Sequence, residues 1–446
     1  MAITRREFTT SMAALAAAVG LGSAEIGSMT EAFAGNTNGS VYGGTLNKPR
    51  VVWIHGAECT GCSTSLLSFL EDTNGNAVFG TTVTTGTALG LAGVTDAAGT
   101  LPAPTVTLAG ATRSAVFNST IGAETNLNIA DVVIDVIDLQ YHETIMGMGG
   151  DLAANWLKDF VDFVPDPLRG TTGHPAKLPG DWPFVLVVEG ALQDKNGSGA
   201  WHDTAGNGKS WCSIGHTDGN GTFNVEIDMP DTVVALADKS TCVGIIPIGQ
   251  CASYGGYPGC KPQISATTAG TPGAGGFDPT ASQSGAMGTY DYLVAHSTNG
   301  SFAKVVNVPG CPTNPWWFCL TVVLFMVNLT NSGYGALMAT DYGRRLKAVY
   351  PIPVHSAWCP HYGDYNNGNY ALKAGDPGCL QKIGCKGIMA NSLCGLHGWN
   401  NQQPQNAGSL ASLNGGKGGH CTKAGHPCMA CTEKGYPDSF VPFVKK

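Results

Sequence analysis

Cysteines dominate the chemistry available to this sequence, with 15 among its 446 residues. Cys59 and Cys62 form a C-x-x-C pair, a pattern shared by zinc, iron–sulfur and thioredoxin-like redox sites. Two later apolar runs end in the same way, CVGIIPIGQC at Cys251 and AKVVNVPGC at Cys311. Four thiolates are the ligands of a cubane iron–sulfur cluster, although a structural zinc ion also accepts them. The recurrence of the pattern favours the cluster.

A second concentration of metal-ligand types lies in residues 351–446, which carry seven cysteines and five histidines. Apolar periodicity is lost there, so this segment is predicted to fold around metal ligands. Cys379 and Cys385 form a C-x5-C pair, with His355 and Cys359 upstream. His355 is either a ligand or a surface or capping histidine. The last group of thiols suits a cubane or a zinc ion equally: Cys394, Cys421, Cys428 and Cys431.

Alternating strands and helices must position the first group of thiols. Residues 51–54 are a short apolar run typical of a buried strand, and a helix is predicted from Ser63 to Leu70. The alternation predicts an α/β fold with a flavodoxin-like, doubly wound parallel sheet over residues 35–345. The carboxyl ends of parallel strands share one edge, where ligands usually bind. Further strands are predicted at 129–138 and 182–192 and before Cys251 and Cys311, and a helix at 151–164.

Several stretches interrupt or follow this alternation. Residues 316–329 are apolar but shorter than the roughly 20 residues of a membrane span, so they are predicted to be a core helix. The chain ends in PFVKK and shows no apolar anchor. Residues 346–446 are predicted to form a second, irregular domain. Three Gly-rich stretches are predicted to be insertions: 73–128, 193–232 and 262–286.

The N-terminal residues 1–34 are predicted to be a twin-arginine signal peptide. Residues 4–8 read TRREF, residues 12–21 are mildly apolar, and residues 32–34 read AFA, an A-x-A-like cleavage site. This route exports folded proteins, which suits a cofactor that is inserted in the cytoplasm. We therefore expect the mature chain in the periplasm or at the outer face of the cytoplasmic membrane.

Composition narrows the function further. The net charge is −8, only 13% of residues are charged, and no basic stripe is present, so nucleic-acid binding has no support. The chain is too large to need a disulfide scaffold. Cys242 and Cys319 lie in apolar stretches and are predicted to be buried. Cys212 and Cys260 lie in Gly-rich stretches and could pair after export.

With these motifs taken together, the chain resembles the small, electron-transferring subunit of the nickel–iron hydrogenases. Eight pieces carry the resemblance, and they follow the family's order along the chain. They are the twin-arginine leader, HGAECTGCSTSLL, DLQYHETIMGMGGDLA, VVEGAL, GQCASYGG, NVPGCPTNP, GCLQKIGCKG and AGHPCMAC.

The resemblance implies three iron–sulfur clusters in a line, whose ligands we call the proximal, medial and distal sets. Glu58 and Glu189 match acidic residues beside the proximal 4Fe–4S cluster. Cys394, Cys428 and Cys431 match medial ligands. The proximal set is Cys59, Cys62, Cys251 and Cys311, and the distal 4Fe–4S set is His355, Cys359, Cys379 and Cys385.

Two positions depart from the common family pattern, and two others bear on oxygen tolerance. Cys421 stands where a proline is usual, which predicts a fourth medial ligand and a 4Fe–4S rather than a 3Fe–4S cluster. His355 lies four residues before Cys359 rather than three, so His361 is the alternative distal ligand. Oxygen-tolerant members carry extra cysteines at the positions of Gly61 and Gly256, so an ordinary proximal cubane is expected here.

The resemblance also implies a function shared with a partner chain. A large subunit would hold the nickel–iron centre that oxidises dihydrogen or reduces protons. This chain would relay single electrons to an external acceptor, a cytochrome or membrane partner docking near the distal cluster. The alternatives are an exported zinc-binding structural protein, a one-cluster subunit of a complex-I-like enzyme, and a stand-alone ferredoxin-like carrier. The seven C-terminal cysteines disfavour the one-cluster subunit.

Overall fold

The structure is a computed structural model. It describes residues 50–67, 137–146, 149–161, 171, 179–196, 210–219, 222–260, 286–315, 317–318, 321–322, 324–325, 338–399 and 420–444. The predicted signal peptide, the insertion 73–128 and nearly all of 262–286 lie outside these ranges.

The centre of the fold is a four-stranded, fully parallel sheet. The described strands are β1 (Arg50–His55), β2 (Asp138–His142), β3 (Phe184–Glu189), β4 (Ser213–Gly219), β5 (Thr222–Asp228) and β6 (Cys242–Ile248). The strand order of the sheet is β2-β1-β3-β6, and β4 and β5 form a separate antiparallel hairpin. Parallel bridges from Ile245 to Val305 and from Ile248 to Val308 lay a further segment beside β6.

Short helices connect and cover the strands. The third helix is the best delimited: Asp228 caps its start by accepting the Asp231 N–H, and Pro230 occupies its first turn. The helices are α1 (Gly61–Leu67), α2 (Gly150–Val161), α3 (Met229–Asp238), α4 (Gly249–Tyr254), α5 (Thr289–His296), α6 (Tyr362–Asn366) and α7 (Cys394–His397). Short 3-10 turns cover Pro179–Asp181, Ser301–Lys304, Leu380–Ile383 and Asp438–Phe440.

The core forms where α2 and α3 pack on the sheet. Leu157 and Phe160 of α2 and Leu236 of α3 are completely buried in the same apolar cluster as the strand residues Val52 and Leu186. All six residues of β3, FVLVVE, are buried. A strand that is covered on both faces needs apolar side chains on both, which explains its nearly continuous apolar sequence. This packing makes the carboxyl edge of the sheet a rigid platform.

The predicted α/β fold with a parallel sheet is confirmed, with local differences. The strand predicted at 129–138 is described only from Asp138 and continues to His142, and the helix predicted at 151–164 is described as Gly150–Val161. The stretch 193–232, predicted as an insertion, contains the β4–β5 hairpin. In the predicted core helix, Trp317 and Phe318 are helical and buried. Within the described ranges, no helix is long and apolar enough to cross a membrane.

The described residues between 350 and 444 contain only turns and very short helices. Their apolar clusters are small, one around Val354, Ala390 and Ala430 and another around Ala371, Leu380 and Ile383. Cysteine side chains pack against both clusters. The boundary near residue 345 and the division into two domains stay predictions.

Candidate metal centres

The residues of the proximal set lie at the carboxyl edge of the sheet. Cys59 and Cys62 lie on the turn from β1 into α1, Cys251 lies in α4 directly after β6, and Cys311 follows the segment beside β6. Burial, then the neighbouring thiols of Cys311 and Cys59, raise the pKa of Cys251 to about 12. Burial raises the pKa of Cys62 as well, and Cys251 adds to that rise. Cys251 thus interacts electrostatically with each of the other three thiols.

Glycines allow the backbone to approach these sulfurs closely. Gly249 has a φ of +85°, and a Cβ there would lie 2.5 Å from the Cys62 sulfur. A Cβ at Gly256 would lie 2.9 Å from the Cys251 sulfur, and one at Gly61 would lie 3.0 Å from the Cys59 sulfur. A side chain at Gly249 would thus displace a thiol of the set. Gly61 and Gly256 both border the set, as expected for positions that carry extra cysteines in oxygen-tolerant members.

Glu189 holds the turn that carries Cys62. Its side chain is buried, and its Oε1 accepts the N–H groups of Cys62 and Ser63, both at 3.0 Å. Its Oε2 accepts the Ser63 hydroxyl at 2.6 Å and the Trp53 indole N–H at 3.1 Å. Burial raises the pKa of Glu189. Four donors nevertheless satisfy the carboxylate, which fixes the start of α1 beside the sheet.

Glu58 belongs to a buried acid–imidazole cluster that the sequence revealed only in part. Its Oε1 lies 3.1 Å from the Nδ1 of His55, and Glu143 accepts the His55 backbone N–H at 3.2 Å. Ligand atoms of His55, Glu58 and Glu189 lie within 4.8 Å of one another. His55 and Glu143 were not predicted, although both stand in motifs that carry the family resemblance, HGAEC and YHETIM.

His142 was not predicted either, and its tautomer follows from its partners. Its Nδ1 accepts the backbone N–H groups of Thr144 and Ile145, so its Nε2 carries the proton. That Nε2–H donates to the Ser63 hydroxyl at 3.2 Å, and Ser63 donates onward to Glu189. Burial, with His55 nearby, lowers the pKa of His142 to about 3, so the ring stays neutral.

The medial set lines one cavity, which brings Cys421 together with the three thiols that match the family pattern. Burial raises the pKa of Cys394 to about 12, and Cys421 contributes to the rise. Burial also raises the pKa of Cys431, as do Cys394, Cys428 and Cys421. His420 and Trp399 line the same cavity. The Nε2 of His420 is buried without a hydrogen-bond partner in the described part of the chain.

The distal set gathers around Gly387. From the ideal Cβ position of Gly387, the Cys385 sulfur lies at 3.5 Å and the Cβ of His355 at 3.6 Å. Burial raises the pKa of Cys359, and the neighbouring Cys385 and Cys379 thiols raise it further. The three thiols and His355 therefore lie close to one another, and their role as ligands stays a prediction.

The two candidate histidines of the distal set differ in what their nitrogens already bind. The Nε2 of His355 is buried and has no hydrogen-bond partner among the described residues. Burial lowers the pKa of His355, which keeps the ring in the neutral form that a metal ligand needs. Both nitrogens of His361 are engaged, at 3.1 Å from the Thr422 carbonyl and 3.4 Å from Asp364. The geometry favours His355.

Contacts link the three sets in series. Trp399 lines the cavity of the medial set, and its indole N–H donates to the backbone carbonyl of Cys311 in the proximal set at 3.0 Å. The Cys428 N–H of the medial set donates to the Cys385 sulfur of the distal set at 3.2 Å. The medial set thus lies between the other two.

The donor chemistry fits iron–sulfur clusters. The thiols of all three sets are free, and most of these thiols have raised pKa values, so a bound cation would have to displace their protons. The unpartnered nitrogens of His355 and His420 are buried polar atoms beside the distal and medial sulfurs. A bound group would satisfy buried atoms that the described polypeptide leaves unpaired.

Within the described ranges, none of the remaining cysteines lies in a group of possible metal ligands. Cys242 is buried in β6, as predicted. Cys212 and Cys260 both carry free thiols, so the disulfide left open by the sequence is not formed. Cys319 lies outside the described residues.

Two family models match the chain. One, described as "NADH ubiquinone oxidoreductase, 20 Kd subunit", matches residues 119–325. The other describes the C-terminal part of the NiFe/NiFeSe hydrogenase small subunit and matches residues 350–444, which contain the medial and distal sets. The chain belongs to the nickel–iron hydrogenase small subunits. A one-cluster subunit of the complex-I type would account for the first match and leave the second unexplained.

Relatives of this hydrogenase small subunit extend along nearly the whole chain. The periplasmic [NiFeSe] hydrogenase small subunit of Desulfomicrobium baculatum is 24% identical over 444 residues, which cover 99% of each chain. The F420 non-reducing hydrogenase I small subunit of Methanosarcina mazei is 27% identical, over 88% of this chain and 74% of its own. A solved [NiFeSe] hydrogenase structure from Dm. baculatum superposes with a TM-score of 0.54 at 22% identity, covering 90% of this chain and 99% of that one. This last likeness supports the fold.

Proposed function

We propose that this hydrogenase small subunit relays single electrons between the nickel–iron centre of a large subunit and an external acceptor, during dihydrogen oxidation or proton reduction. The observation that carries the proposal is the serial contact of three thiol-rich sets. The Trp399 indole N–H, beside the medial thiols, donates to the Cys311 carbonyl, and the Cys428 N–H reaches the Cys385 sulfur. Redox sites in series would give electrons a path through the chain from one partner to another, which one isolated site would not provide.

The proposal assigns one cluster to each set. Cys421 would be the fourth medial ligand and His355 the nitrogen ligand of the distal cluster. Bound iron–sulfur clusters would supply one-electron redox chemistry at potentials set by ligand type, burial and hydrogen bonds to sulfur. The ligands are the proximal Cys59, Cys62, Cys251 and Cys311, the medial Cys394, Cys421, Cys428 and Cys431, and the distal His355, Cys359, Cys379 and Cys385.

The polypeptide's own contribution is to hold and insulate these groups. Glu189 fixes the Cys62 turn through two backbone N–H groups, and the Thr313 N–H donates to the Cys62 sulfur at 3.4 Å. Cys394, Cys428 and Cys62 are each less than one-tenth exposed, which keeps water from their sulfurs. Cys59 is exposed, so the proximal edge is the side we assign to the large subunit.

The remaining assignments follow from the resemblance and the leader sequence. Export by the twin-arginine route would place the assembled enzyme in the periplasm or on the outer face of the membrane. A cytochrome or membrane protein would accept electrons near the distal set. The names of several relatives, including the periplasmic Dm. baculatum protein, support this location.

Metal and sulfide analysis of the co-purified complex tests the proposal. Three cubanes predict about twelve irons and about twelve acid-labile sulfides in this chain, and a 3Fe–4S medial cluster predicts about eleven irons. Nickel should co-purify with the partner chain. Zinc in place of iron, with no visible absorption, would establish the structural zinc-binding alternative. Iron without any nickel-containing partner would favour the stand-alone carrier.

A further inference from the structure

Ser392 lies against a sulfur of the medial set. Its hydroxyl oxygen is 2.8 Å from the Sγ of Cys394, and the Cys394 backbone N–H points to the same oxygen at 3.2 Å. We propose that Ser392 donates a hydrogen bond to the Cys394 sulfur and thereby raises the reduction potential of the medial cluster. This inference rests on the proposed function.

The direction of the hydrogen bond follows from the ligand's chemistry. A cysteine that ligates iron does so as a thiolate, which has no proton to donate. The Cys394 N–H already donates to the Ser392 oxygen and so occupies one of its acceptor sites. The serine proton is therefore the one that lies between oxygen and sulfur.

The backbone around Ser392 holds this geometry in place. Ser392 is only 2% exposed, and its N–H donates to the Ile352 carbonyl at 3.0 Å. The preceding residue, Asn391, forms an antiparallel bridge with Pro353. Asn391 also donates its N–H to the buried Glu433 carboxylate at 2.6 Å. These contacts fix the backbone, and the Cys394 N–H holds the Ser392 hydroxyl oxygen beside the sulfur.

The effect on the potential has a definite sign. Reduction adds negative charge to the cluster and its sulfurs, so a donor to sulfur stabilises the reduced form more than the oxidised form. Burial strengthens this preference because water cannot screen it. Removing the hydroxyl should lower the midpoint potential of the medial cluster.

Ser392 is suited to a test by substitution, because its donor to sulfur is a side-chain hydroxyl. The donors to Cys62 and Cys385 are backbone N–H groups, of Thr313 and Cys428, which side-chain substitution leaves in place. Ser392→Ala removes a single hydroxyl and nothing larger. Ser392→Thr keeps the hydroxyl and is the conservative variant.

The experiment is a redox titration of the complete enzyme, followed by electron paramagnetic resonance. In Ser392→Ala the oxidised-to-reduced ratio of the medial cluster at a fixed ambient potential should rise about tenfold, equivalent to about 59 mV for one electron. The proximal and distal midpoints should not move, and Ser392→Thr should restore the medial value. Ser356→Ala is the matched control, because its hydroxyl accepts the Trp358 N–H in a similar turn.

Each outcome bears on the proposal. An unchanged medial midpoint in an iron-replete Ser392→Ala enzyme overturns it. If that variant loses the cluster, the wild-type enzyme decides: exchange into deuterium oxide should remove a strong proton coupling from the medial signal, and absence of such a coupling overturns the proposal. A wild-type enzyme with no iron–sulfur signals would instead refute the proposed function itself.

Discussion

Replacing Arg345 with methionine should destabilise the junction between the sheet and the cysteine-rich C-terminal segment. The Arg345 side chain is completely buried and pairs with Asp341 at 2.7 Å and with Glu433 at 2.6 Å. It also donates to the Thr432 carbonyl at 2.8 Å. Thr432 and Glu433 directly follow Cys431 of the medial set, so this arginine holds the end of that ligand loop.

The magnitude follows from what the substitution leaves behind. Removing one partner of a buried ion pair costs about 3–5 kcal/mol, because the other charge stays buried without compensation. Glu433 would keep the Asn391 N–H and the Tyr342 hydroxyl as donors. The expected loss therefore lies at the lower end, about 3 kcal/mol. At about 2 °C per kcal/mol for a large domain, the unfolding midpoint should fall by about 6 °C.

Thermal unfolding of the complete enzyme, followed by circular dichroism and by visible absorption, measures this change. Arg344→Met is the matched control: Arg344 is half-buried and donates to the neutral carbonyls of Val305 and Ala303. Its loss should cost about 1 kcal/mol. The double variant Arg345→Met/Glu433→Met should be more stable than Arg345→Met alone, because it removes the uncompensated carboxylate.

Two results would refute this reasoning. If the Arg345→Met and Arg344→Met midpoints lie within about 1 °C of each other, a difference of about 0.5 kcal/mol, the ion pairs contribute nothing net. A double variant less stable than the single one would mean that Glu433 is satisfied without its arginine.

Three further outcomes test the ligand sets. Cys421→Ala should lower the iron content by about one atom per chain and give the magnetic signature of a 3Fe–4S medial cluster; unchanged iron content would remove Cys421 from the ligands. Gly249→Ala should abolish the proximal signals, since its Cβ would lie 2.5 Å from the Cys62 sulfur, and normal signals would contradict the clash. His355→Ala should perturb the distal signals while His361→Ala leaves them intact, and the reverse pattern would exchange the two histidines.

The sheet and the proximal thiols could be predicted because their determinants are local. Parallel strands buried on both faces read as apolar runs, so β1 and β3 stand out in the sequence. A cysteine placed at the end of such a run must lie at the carboxyl edge. β2 was harder, since DLQYH is half-polar and forms one edge of the described sheet, where a continuous apolar run is not required.

Pairings over long sequence separations were not predictable from one sequence. Arg345 and Glu433 are 88 residues apart, and Trp53 and Glu189 are 136 apart, so no local pattern joins them. The β4–β5 hairpin was hidden for a different reason. Its strands SIGHTDG and TFNVEID are rich in polar residues, and the surrounding Gly-rich composition is typical of a loop.

The distal and medial sets show most clearly what the fold adds to the sequence. Along the chain most distal ligands precede the medial ones, so position in the sequence, without the family resemblance, would order the sites as proximal, distal, medial. The fold reverses the last two, because the segment that ends at Cys431 returns toward the sheet. The Gln250 side chain, next to Cys251, donates to the Glu433 carbonyl at 2.9 Å and fixes that return. The proposed transfer path, in the order proximal, medial, distal, would therefore depend on tertiary contacts around Glu433, which is where substitutions should interrupt it without removing a ligand.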